Sequence, residues 1–178
     1  MSVFGLHSLI QSATVGDIVD LKSICQTLEI KIRMDDSLQD LCKIGENENK
    51  HIIIWLKDSL DQKTKFTFVA IAVADYILDP DRVIKQGVVY DMFFLRDLSA
   101  NKATKLIMLA TRLAVPEHII EKLSNALEAQ FSKDDTIEPF DADEYVRNAK
   151  YLPEFVRCAI KESSSMFLMD NLKNKFEH

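Results

Sequence analysis

The chain has 178 residues, with 22 Lys+Arg against 28 Asp+Glu for a formal charge of −6. With 47% hydrophobic and 28% charged residues, its composition excludes whole-chain disorder, and its length fits one domain, or one domain with a small appendage. The acidic balance argues against a protein whose main task is neutralising phosphates.

Cys25, Cys42 and Cys158 lie at wide, unrelated spacings with no CxxC pair. They read as buried thiols in a reducing compartment, not as a disulfide framework or a zinc site. The opening residues lack the basic, apolar and small-residue order of a signal peptide. The longest apolar run, Phe66 to Leu78, falls short of the roughly 20 residues a membrane span needs. A cytoplasmic protein is expected.

In chain order, Asp17 to Glu29 reads as a helix, because Ile18, Leu21, Ile24, Cys25 and Leu28 share one face. Glu29 to Met34 alternates and predicts a short strand. Leu41 to Ile44 suits a second strand, followed by a turn over Gly45 to Asn49. His51 to Leu56 is β-branched and aromatic, the strongest strand signal in the chain. Phe66 to Leu78, rich in alanine and apolar all round, predicts a buried central helix ended by Pro80. Val83 to Leu95 is ambiguous. Ser99 or Asn101 caps a further helix to Leu113, and Glu117 to Phe131 is the next. Lys133 to Pro139 reads as a loop. Asp141 to Lys150 and Pro153 to Glu162 read as two short helices, with Pro153 suited to a first turn. In the tail, Met166, Met169, Leu172 and Phe176 recur at helical spacing, an apolar stripe suited to a partner or to homo-association. The expected organisation is a body over residues 1–132 and a small helical region over 133–178.

Few residues suggest catalysis. His7, His51, His118 and His178 include no pair at i, i+4, so no HExxH motif is present. No GxSxG elbow or phosphate-binding glycine loop occurs. Asp75 stands out within the most apolar helix, where an ionised carboxylate is costly without a partner. It faces a cleft, bonds a buried donor, or marks the helix end. The paired short helices resemble a helix-turn-helix, but residues 134–162 carry four cations against eight acids, a net −4. That sign is wrong for autonomous DNA binding.

The order of segments resembles the ImmA/IrrE-type metallopeptidases, zincin-like proteins that act on or near helix-turn-helix repressors of mobile elements and stress regulons. Val19 to Ile32 is similar to the helix and strand that open the family, and His51 to Leu60 to its next strand. Phe66 to Leu78 matches an active-site helix that reads approximately RFTLAHELGHYLL. Lys105 to Pro116 resembles the downstream helix, and Tyr145 to Glu162 the small helical segment that follows. The resemblance implies an α+β, zincin-like fold: a small antiparallel sheet packed on a central buried helix, with further helices. It places Ile71 at the first zinc-binding histidine, Ala72 at the catalytic glutamate and Asp75 at the second histidine. Ser99 to Thr104 offers no acidic third ligand.

The resemblance thus implies a pseudo-enzyme with no catalytic residue, no metal and no cofactor. It would regulate by occupying a protein partner such as a helix-turn-helix repressor of a phage or mobile element, with Met166, Met169, Leu172 and Phe176 as candidate contacts. No membrane association and no direct nucleic-acid binding are expected. Two alternatives stand beside this expectation. One is a metallopeptidase with relocated ligands drawn from Asp75, Glu117, His118 and Glu121. The other is a DNA-binding regulator using residues 141–162.

Overall fold

The structure, a computed structural model, describes residues 3–91 and 93–122 together with residues 125, 144 and 147. Helix α1 (Val3–Ala13) leads into a two-stranded antiparallel ribbon, β1 (Thr14–Val15) and β2 (Ile18–Val19), turned at Gly16 with φ +60°. Helix α2 (Leu21–Thr27) follows. The predicted helix from Asp17 therefore starts later. Asp20 is its N-cap and accepts from the Lys22 amide, while Ile18 and Val19 are extended.

Strands β3 (Lys31–Met34), β4 (Cys42–Glu46), β5 (Ile52–Leu56) and β6 (Val88–Tyr90) form a four-stranded sheet in the order β3-β5-β4-β6. The sheet is mixed and not antiparallel throughout: β3 runs parallel to β5, whereas β4 is antiparallel to both β5 and β6. The chain therefore passes from β3 to β4 across the position that β5 later fills. The expected turn over Gly45 to Asn49 begins two residues late. Gly45 and Glu46 still pair with β5, and the Asn47 side chain closes the turn by accepting from the Asn49 and His51 amides.

Central strand β5 is apolar without alternation because both its faces are covered. Ile52, Ile54 and Leu56 belong to the main core, and Ile53 is buried on the opposite face. Helix α3 (Gln62–Leu78) packs on the first of these faces, every residue from Phe68 to Asp75 being buried. Asp61 caps it, accepting from the Lys63 and Thr64 amides. Pro80 ends α3, as the sequence predicts, and at once opens α4 (Pro80–Gln86), with Asp79 as N-cap. The ambiguous stretch thus resolves into α4, β6 and a short 3-10 turn at Phe94–Asp97. Helix α5 (Ala100–Arg112), capped by Ser99, packs against α3, and residues 117–122 are again helical.

Mixed helix and sheet around one core is the α+β class expected. Among the described residues no helix is long and apolar enough to cross a membrane. The predicted loop and helices over 133–162 and the stripe of Met166, Met169, Leu172 and Phe176 lie outside the described residues, apart from the isolated helical positions 144 and 147.

Candidate functional site: a carboxylate network at the end of the central helix

The three positions at which the resemblance would put a lost catalytic centre, Ile71, Ala72 and Asp75, all lie on α3. Ile71 is 3% exposed and Ala72 0%, and both belong to the hydrophobic core. Neither side chain has a donor atom for a metal or a basic atom for a proton.

Asp75, one turn on, is 1% exposed. Of the readings left open for it, the structure selects the buried partner. The Arg82 guanidinium on α4 donates from one nitrogen to both carboxylate oxygens, and the Tyr90 hydroxyl on β6 donates to Oδ2 over 2.8 Å. Arg82 Nε lies 3.6 Å from Asp79 Oδ2, and Lys102 Nζ on α5 lies 3.6 Å from the same oxygen. Two acids face two bases, so the network balances its own charge. It joins α3, α4, β6 and α5 at one end of the core.

The arrangement explains how a carboxylate survives in so apolar a helix. Burial of an isolated anion costs several kcal/mol, roughly, and is tolerated when a cation and further donors engage it. Burial, with the Asp75 carboxylate beside it, pushes the Tyr90 hydroxyl far above its ordinary value. Tyr90 therefore keeps its proton near neutral pH and serves as a hydrogen-bond donor to Asp75. Its ring meets Phe94 edge-on, with centroids 5.3 Å apart, which fixes its direction.

Zinc does not fit these residues. Two of the three positions have no ligand atom, and both oxygens of the third are engaged. The relocated ligands are not brought together either. Glu117 lies 3.2 Å from Arg112 and 3.4 Å from His7, while His118 Nε2 lies 2.8 Å from Asp17. Glu121 is exposed. Among the described residues no three His, Cys, Asp or Glu side chains are grouped to hold a metal ion.

Arg82, Tyr90, Asp79 and Lys102 were not singled out by the sequence. One signal was available. Asp79-Pro80 is a cap followed by a first-turn proline, which marks a helix carrying Arg82 back towards Asp75. Nothing in the pattern points to Tyr90, whose role depends on β6 pairing with β4.

A second feature lies at the other end of α3. An apolar groove of about 530 Å³ runs between β3, the β1–β2 ribbon and the first turns of α2 and α3. Comparison of the chain with family models, with curated proteins and with solved structures gives no match.

Proposed function

We propose that the chain is a non-catalytic regulatory protein. In this reading, a zincin-like scaffold resembling the ImmA/IrrE-type metallopeptidases keeps its shape while its former catalytic centre has become structural. It acts by occupying a protein partner, a helix-turn-helix repressor of a phage or mobile element, in the cytoplasm. The observation that carries this reading is the state of Ile71, Ala72 and Asp75. Two are core side chains, and the third is committed to Arg82 and Tyr90. A metal-activated water needs ligands and a base, and these positions supply neither. The formal charge of −6 supports attraction to a basic partner and competition with DNA for it.

The test uses tag-free protein with a candidate repressor encoded beside it. The expected result is a stable complex, an intact repressor after prolonged incubation, and no zinc retained after dialysis. A zinc ion held stoichiometrically, or cleavage abolished by a chelator, overturns the reading in favour of a peptidase with ligands elsewhere in the chain.

A further inference from the structure

Strand β3 forms one edge of the sheet. Among the described residues it pairs with β5 only. All of its residues are exposed, and they divide by face. Ile32 and Met34 share the α3 side of the sheet with their register partners Ile54 and Leu56, and both line the groove described above. They are 38% and 50% exposed. Lys31 and Arg33 fall on the opposite face, beside Ile53 and Trp55. Neither forms an ion pair among the described residues, whereas Lys43 on that face sits 5.6 Å from the centre of the Trp55 ring. Within β3 both charges are positive, with Glu29 before them and Asp35 and Asp36 after them, and an apolar trough runs along one side.

An unpaired edge offers backbone donors and acceptors to another extended segment. The face pattern of β3 states what that segment must carry. Side chains on its α3 side enter the groove, beside Ile32, Met34 and Ile18, the last 50% exposed, and must be apolar. Side chains on its other face come opposite Lys31 and Arg33 and are favoured when acidic. A second copy of β3 fits poorly. Antiparallel pairing that keeps the apolar faces together sets Arg33 against itself when centred on Arg33, with Lys31 opposite Asp35 as partial compensation, and sets Lys31 against Arg33 when centred on Ile32. Like charges directly opposite are destabilising.

We propose that β3 is a docking edge that takes an extended segment of a protein partner in which apolar and acidic residues alternate, adding it as an outer strand of the sheet. Backbone hydrogen bonds supply affinity and the alternation supplies register. The proposal rests on the reading that the chain acts by binding a protein, and names the surface and the pattern recognised.

The test is fluorescence anisotropy on the full chain with a short labelled peptide alternating Val or Ile with Asp or Glu. Two control peptides carry the same residues, one with acids and apolars in separate blocks, the other N-methylated along the edge-pairing side. Saturable one-to-one binding is expected for the alternating peptide and loss of binding for both controls. Joint reversal, Lys31→Glu with Arg33→Glu, should weaken binding about tenfold or more. A peptide with Lys in place of its acids should recover it. Both positions are exposed, and circular dichroism should show the fold unchanged. Equal binding of the blocked peptide, indifference to the charge reversal, or no binding at all overturns the proposal. A concentration-dependent dimer abolished by Met34→Lys, which puts a charge into the apolar seam, also overturns it, because a second copy is then the occupant. A repressor complex that survives the charge reversal removes this surface and leaves the regulatory function standing. Peptide binding without any repressor complex does the reverse.

Discussion

The Tyr90 hydroxyl donates to Asp75 Oδ2 over 2.8 Å, joining β6 to α3. With Arg82 on the same carboxylate, this contact turns a position that would be costly in an apolar helix into a fastening point for four elements. Replacing Arg82 by Met leaves Asp75 buried with only a neutral donor. Loss of about 3 kcal/mol of stability is expected, since breaking a buried pair from one side strands the other charge. Asp75→Leu combined with Arg82→Met should recover much of it, as measured by urea denaturation in a double-mutant cycle. Tyr90→Phe removes one bond to a charged acceptor and should cost about 1.5 kcal/mol.

Acid should destabilise the protein through its helix caps. The Ser23 hydroxyl donates to Asp20, and the Thr64 hydroxyl to Asp61. These bonds hold both carboxyls below their ordinary value of 3.8. A carboxyl whose folded pKa is depressed contributes stability that is present above its unfolded pKa and lost as pH falls through the folded one. Thermal midpoints should be flat near neutrality and drop below about pH 4. Asp61→Asn, which keeps an acceptor but cannot ionise, should make that acid limb shallower. An unchanged slope would remove Asp61 from the account.

Gly87 ends α4 with φ +66° and ψ 165°, a region open almost only to glycine. A Cβ there would also sit 3.4 Å from the Ile44 carbonyl oxygen. Gly87→Ala should therefore cost about 1–3 kcal/mol and loosen the β4–β6 pairing, seen as faster amide exchange at Val88 and Tyr90. Gly16, at φ +60° with nothing within 4 Å of its Cβ position, should tolerate Ala at a smaller cost of about 1 kcal/mol.

Burial pushes the Cys25 thiol up to about 12, helped by the charge of Asp20, and burial raises Cys42 as well. At pH 8 neither supplies appreciable thiolate. In a Cys158→Ser chain, labelling by a thiol reagent should be slow in the native state and immediate in denaturant. Rapid native labelling at Cys25 would show that the region around α2 opens readily.

The elements legible in the sequence were those whose pattern is local. His51 to Leu56 and Phe66 to Leu78 carry runs that only a buried strand and a buried helix accommodate, and the Ser99 cap stands beside the helix it starts. Ile18 misled because its spacing fits the face of α2, although Gly16 and the Asp20 cap give those residues to a ribbon. The parallel pairing of β3 with β5 was not legible, since alternation in Lys31 to Met34 reports a strand's faces and not its neighbour. The candidate site was legible at Asp75, where a charge interrupts an apolar run. Its partners were not, because Arg82 and Tyr90 reach it through a helix turn and a strand pairing that residue spacing does not encode.

Arg82 lies seven residues beyond Asp75 along the chain, and Tyr90 fifteen. The ion pair therefore closes through the single turn at Asp79-Pro80, whereas the tyrosine contact waits for β6 to find β4. Loop-closure entropy favours the nearer contact first. In that order the carboxylate would be neutralised before α3 is buried, and the helix would carry no bare charge into the core. Tyr90 would then act as a late latch. Its removal should speed unfolding and leave the folding rate nearly unchanged, while loss of Arg82 should slow folding itself.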